Sequence, residues 1–242
     1  MRDENLQALC EKGQEQLIAM DYLGAEETLA TAEAIAWAAR DYDALSRLYM
    51  PLQETRRQRR QRCGEGTIRF DILAQNQTDR IDPEQLLMQI PQGQLLIGGW
   101  NSIAPALMAR QLIAQRRLFV DVLLGMVIAT GVQKFIAVVP GVEKISPVSK
   151  GTPVDGQLAS LPSHRVMLAE SELPEPTYSS MMDIWEALHS PFLKTADAIP
   201  DELYEQKIEA YRWTIRIDYA CELAHQNISD LARKVCRIRR NP

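Results

Sequence analysis

The spacing of apolar residues changes twice along this chain, and those changes limit the folds open to it. Up to Arg62 they recur every three or four positions, as in Leu6, Leu9, Cys10, Gly13 and Leu17. From Thr67 to Val139 the runs are short and alternate or stay apolar throughout, and beyond Thr177 the longer step returns. The longer step puts one stripe on a helix, and the shorter one puts alternate side chains on one face of a strand. The predicted fold class is therefore mixed α+β. It comprises an N-terminal helical hairpin with a third helix, a small mixed or parallel α/β core, and C-terminal helices. The segments expected are 1–62, 63–170 and 171–242.

Composition narrows the function classes. Of 242 residues, 46% are hydrophobic and 24% charged, which is globular and excludes a disordered chain. A formal charge of −5 argues against a nucleic-acid coat. The four cysteines, Cys10, Cys63, Cys221 and Cys236, form no C-x-x-C pair, so free thiols in a reducing compartment are expected. The start, Met1-Arg2-Asp3-Glu4, is acidic where a signal peptide is basic and then apolar. The most apolar stretch, Leu118 to Val132, contains Asp121 and falls short of the ~20 residues that cross a bilayer. These features predict a cytoplasmic protein without a membrane partner.

In the first segment Asp21 is placed to cap a second helix carrying Ala25, Leu29, Ala32, Ile35 and Ala36. A third helix starts at Asp41 and is expected to kink at Pro51. Gly13, with Leu9 four residues before it, is followed after twelve residues by Ala25, Leu29 and Ala32 in small-large-small order. Over residues 5 to 40 this pair resembles a tetratricopeptide repeat, whose small residues let two antiparallel helices approach closely. Gln16 and Trp37 depart from its pattern, and a second repeat is not completed. The resemblance implies a protein-interaction surface, with Leu9, Leu29 and Trp37 as candidate partner-binding residues. The segment ends in Arg56-Arg57-Gln58-Arg59-Arg60-Gln61-Arg62. Without interleaved aromatics to stack on bases, this run is read as a solvated helix end whose arginines pair with acids elsewhere.

Gly64-Glu65-Gly66 opens the central segment. Thr67–Leu73 reads as a strand, Asp82-Pro83-Glu84 starts a short helix to Ile90, and Gln94–Ile97 is a buried strand. A helix follows from Ile103, then strands at 134–139 and 164–168; Leu118–Leu124 reads as a strand or as more helix, up to Thr130. A hairpin around Gly131 and a Gly/Pro/Ser-rich loop from Ser146 to Ser163 complete the segment. Beyond the strand ends stand Asn76, Gln77, Thr78 and Asp79, and the turn Gly98-Gly99-Trp100-Asn101-Ser102. Paired glycines before a helix N-terminus expose backbone N–H groups, so Gly98, Gly99, Asn101 and Ser102 are a candidate anion or nucleotide site. The alternative is a tight turn with Asn101 or Ser102 as cap.

In the last segment Thr177 or Ser179 caps a helix that Pro191 stops, and a long helix runs from Pro200-Asp201 to Cys236 along Leu203, Ile208, Tyr211, Ile215, Tyr219, Leu223 and Ile228. Two E-x-x-H pairs occur, Glu186 with His189 and Glu222 with His225. On a helix such residues project side by side, and di-metal carboxylate proteins use two such pairs. The four are candidate ligands for transition-metal ions, with Asp183 and Asp218 nearby; otherwise no cofactor is expected. Cys221 and His225 stand one helical turn apart as a thiol–imidazole pair. The function expected is an intracellular interaction scaffold or adaptor whose partner is another protein, with no catalytic activity identified; the alternatives are the metal enzyme and the Gly98–Ser102 ligand site.

Overall fold

A computed structural model describes residues 2–72, 79–100, 102–130, 133–141 and 153–240. In chain order the elements are α1 (Arg2–Ile18), α2 (Tyr22–Ala39), α3 (Tyr42–Gly64), β1 (Thr67–Ile72), α4 (Pro83–Gln89), β2 (Gln92–Gly98) and α5 (Ile103–Arg116). They continue with β3 (Phe119–Thr130), β4 (Gln133–Val139), α6 (Val154–Ala159), β5 (Val166–Ala169), α7 (Tyr178–Asp197), α8 (Tyr204–Ile217) and α9 (Glu222–Arg240). The class is mixed α+β, as the spacing implies. The chain divides into two compact units, Met1–Arg60 with His189–Pro242, and Gln61–Leu188.

In the helical unit, short polar caps set the helix starts. The Asp21 carboxylate accepts the Gly24 N–H at 3.1 Å, and Asp41 accepts that of Ala44 at 2.9 Å. Ala25, Leu29, Ala32 and Ala36 of α2 are fully buried. A Cβ on Gly13 would lie 2.6 Å from Leu29 Cγ, so glycine is what lets α1 and α2 approach there. Leu29, Leu45, Leu48 and Tyr49 share one core with Ile208, Tyr211, Ala224, Ile228 and Leu231. The core of this unit thus draws on both ends of the chain.

Two sequence expectations fail here. Pro191 does not stop its helix, because α7 continues to Asp197. The ring costs the helix one N–H donor, and burial of Leu188 before it and Ala196 after it outweighs that loss. The long C-terminal helix is also interrupted. A 3-10 turn (Asp201–Leu203) precedes α8, and Asp218, extended at φ −129°, separates α8 from α9. The Asp218 side chain accepts the Ala220 N–H at 3.1 Å, and its carbonyl accepts the Cys221 N–H at 3.0 Å. A local hydrogen-bonded turn thus competes with continued helix. The interruption resets the phase, leaving Leu203 and Leu223 exposed rather than on one buried stripe. Pro51 lies inside α3, which runs from Tyr42 to Gly64.

The second unit is built on a five-stranded sheet of order β1-β2-β3-β4-β5. β1–β2 and β2–β3 pair in parallel, whereas β3–β4 and β4–β5 are antiparallel. The ambiguous stretch is strand β3; its first half pairs with β2 and its second half with β4. Gly131 itself lies outside the described residues. Asp82 caps α4 by accepting the Glu84 and Gln85 N–H groups at 2.9 and 3.3 Å. Leu86, Leu87, Ile103, Ala106 and Ile113 of α4 and α5 pack with Leu95, Ile97, Val120, Val122 and Leu124 of the sheet. The Ser146–Ser163 stretch is not all loop, since α6 occupies Val154–Ala159. No helix among the described residues is long and apolar enough to cross a membrane.

Candidate functional sites

Within the helical unit, α2, α7 and α8 line a groove with Trp37, Phe192, Thr195, Glu205, Glu209 and Trp213. Trp213 is 36% exposed, and the Glu205 and Glu209 side chains are 40% and 43% exposed. Arginines fix the indoles: Arg212 lies 4.6 Å from the Trp37 ring centre and Arg216 lies 5.2 Å from that of Trp213. Arg212 is itself bound by Glu33 at 2.7 Å and Glu209 at 2.6 Å. Of the three residues proposed from sequence, only Trp37 lines this groove. Leu9 is half-buried against the core, and Leu29 is wholly buried as the side chain that fills the space beside Gly13. Phe192 and Trp213 were missed because Pro191 was expected to end the helix and α8 to be part of a longer one.

A second cluster in the same unit is charged and buried. Asp218, 1% exposed, is ion-paired with Arg60 and hydrogen-bonded to His189 Nδ1, each at 2.7 Å. Burial pushes its carboxyl up, but Arg60 and His189 outweigh that and bring it down to about 2. Burial likewise opposes charge on His189, yet the hydrogen bond to Asp218 and the neighbouring Cys221 carry the ring up to about 10. Beside this group, His225 donates from Nδ1 to the Cys221 carbonyl at 2.8 Å and accepts from Arg56 on Nε2 at 3.1 Å. Burial and then Arg56 push it down to about 3, so the buried ring is neutral. Glu26 binds Arg56 and Arg59 at 3.1 and 2.7 Å; burial works against its charge, but the two guanidinium groups hold it below the ordinary carboxylate value. The arginine run is therefore less a solvated face than a source of buried counter-ions, with Arg60 itself buried.

The E-x-x-H residues are not gathered into one centre. Glu186 is exposed, and Glu222 is exposed with its carboxylate 3.4 Å from Gln53. Both nitrogens of His225 are engaged, and His189 Nδ1 is bound to Asp218. Among the described residues no group of three or more His, Cys, Asp or Glu side chains is placed to hold a metal ion. The thiol–imidazole pairing expected of Cys221 and His225 is not made, since the two ring nitrogens of His225 meet the Cys221 carbonyl and Arg56.

At the glycine turn, Gly98 and Gly99 are buried, and the Gly99 carbonyl accepts the Val127 N–H at 3.0 Å. The buried Ser102 hydroxyl reaches the Gly99 carbonyl at 2.9 Å and also meets that of Gly125, so it makes no side-chain cap for α5. Asn101, and Asn76, Gln77 and Thr78, lie outside the described residues. Comparison with protein-family models, curated proteins and solved structures finds no match to this chain.

Proposed function

We propose that this chain is a non-enzymatic interaction module of a reducing, cytoplasmic setting. Its helical unit takes a segment of another protein in the Trp37–Phe192–Trp213 groove. The observation that carries the reading is the groove itself: the exposed Trp213 indole stands beside the half-buried Trp37 and Phe192 rings and two half-exposed carboxylates. Exposed aromatics at a concave surface supply most of the binding energy in protein interfaces. Glu205 is paired with Arg40, and Glu209 with Arg212 and Arg216, so the groove selects its partner by a bulky apolar side chain rather than by charge. The close approach of Gly13 to Leu29 supports a tetratricopeptide-like pairing of α1 and α2. Free thiols among the described residues suit a reducing compartment.

The test is selection from a random peptide library on the whole protein, in parallel with Trp213→Ala. Enrichment of bulky apolar anchors is expected, with affinity falling about 30-fold in the variant, as for loss of an aromatic hot spot. Failure to enrich any sequence, or enrichment unaffected by Trp213→Ala and Phe192→Ala, overturns it.

A further inference from the structure

Helix α8 borders a second recess on another face from the aromatic groove. Residues two apart on a helix point in nearly opposite directions, so Lys207 and Tyr211 face away from Glu205, Glu209 and Trp213. There α8 and α9 line a cleft of about 430 Å³, within the range of small-molecule sites. Four cations border it, Lys207 of α8 and Arg233, Lys234 and Arg237 of α9. The three carboxylates beside them are all engaged. Asp201 lies between Lys207 at 2.8 Å and Lys234 at 2.9 Å, and Asp230 pairs with Arg233 at 3.1 Å. Asp197 accepts the Tyr211 hydroxyl at 2.7 Å. One carboxylate thus serves two ammonium groups, and among the described residues none is placed on Arg237. The negative end of α9 does not account for this gathering of charge. It favours cations in the last turn, whereas Arg233 and Lys234 stand more than one turn before Arg240.

We propose that this cleft binds a small molecule through a phosphate group, as free phosphate or as a phosphate ester. The phosphate sits against Arg237 and Lys234. Arg237 offers a planar fork of donors that no carboxylate occupies, the geometry that matches phosphate oxygens. The Lys234 ammonium is tethered through Asp201 to Lys207, whose side chain is only 12% exposed, so less freedom is lost when an anion docks. Cations in a recess walled by the buried Leu231 and Tyr211 act on an anion more strongly than the same charges spread over a flat surface. Asp201 and Asp230, with side chains 48% and 65% exposed, repel a long polyanion, which limits the ligand to a compact one.

The test is isothermal titration calorimetry of the whole protein with inorganic phosphate and with ribose 5-phosphate, chloride being adjusted to hold the ionic strength constant. Saturable binding at one site, with a Kd of about 1 mM or less for at least one of the two, is expected. Arg237→Ala and Lys234→Ala should each weaken it about tenfold, as for loss of one charge-assisted contact. Both side chains are exposed, so these variants keep the fold. Arg116→Ala removes the same charge from α5 in the other unit and should bind as the wild type does. Tighter binding of the ester assigns the body of the ligand a place in the cleft, and equal binding assigns the site to the bare anion. Weaker binding of both probes than this, affinity unchanged in Arg237→Ala or Lys234→Ala, or an equal loss in Arg116→Ala overturns the proposal.

Discussion

His189 and His225 lie in one unit yet are driven in opposite directions, and the difference is legible in stability against pH. An unfolded His225 takes up a proton near 6.5, but the buried ring beside Arg56 resists until about 3. Acidification from 6.5 towards 3 therefore favours the unfolded chain. Asp218 adds to that loss as the pH falls below its ordinary 3.8 towards 2. His189 acts in the opposite sense, because its folded pKa is raised from 6.5 to about 10. Its stabilisation is complete below 6.5 and disappears as the pH rises from there to 10. Thermal melts across the range should peak near neutrality and fall on both sides. His189→Gln should lose the alkaline limb; wild-type melts that stay level from 6.5 to 10 would refute the His189–Asp218 pairing. Asp218→Ala leaves Arg60 and His189 as buried charges without a counter-ion, and a loss of about 3–5 kcal/mol in urea unfolding is expected. The sequence marked both histidines through their spacing to glutamates, but each is held by a partner that no helical period relates to it. Asp218 binds groups from α3 and α7, and such encounters are made by tertiary packing alone.

Elements were legible where a local rule governed them. Asp21, Asp41 and Asp82 each begin a helix because a short carboxylate reaches an N–H that the first turn leaves open. Reading failed where burial overrode a local rule, as at Pro191, or where one polar side chain preferred a turn to a helix, as at Asp218. The α1–α2 pair offers a direct test of the first kind of rule against the second. Alanine in place of Gly13 gains up to about 1 kcal/mol of helix propensity. Its Cβ would lie 2.6 Å from the buried Leu29, and overpacking of that kind costs about 1–3 kcal/mol. Gly13→Ala should therefore destabilise the protein. Leu29→Ala should cost about 2–5 kcal/mol through the cavity it leaves. The double variant should lose at least about 1 kcal/mol less than the sum, because the new methyl enters the vacated space. Additive losses in urea unfolding would mean that the two helices do not meet at this point.

At the scale of the molecule, the order of segments was readable, but their grouping was not. Periodicity reports what each stretch becomes and carries no information on which distant stripe it meets. The sequence reads as three successive segments, whereas the compact units are one continuous stretch, Gln61–Leu188, and one made from both ends of the chain. In the second, Leu29, Leu45 and Tyr49 share a core with Ile208, Tyr211 and Ile228, so neither end can bury its apolar face unaided. Helices of this length are marginal in water without tertiary packing. Residues 1–64 and residues 189–242, made as separate peptides, should each show weak helicity and a broad melt. An equimolar mixture should recover helical circular dichroism and a single cooperative transition whose midpoint rises with concentration, as mass action requires of two chains that fold together. Leu29→Ala in the first peptide should weaken the mixture's transition, because that side chain belongs to the shared core. Cooperative melting of residues 1–64 alone would show the N-terminal helices to be self-sufficient and would remove the reason for counting both ends as one unit.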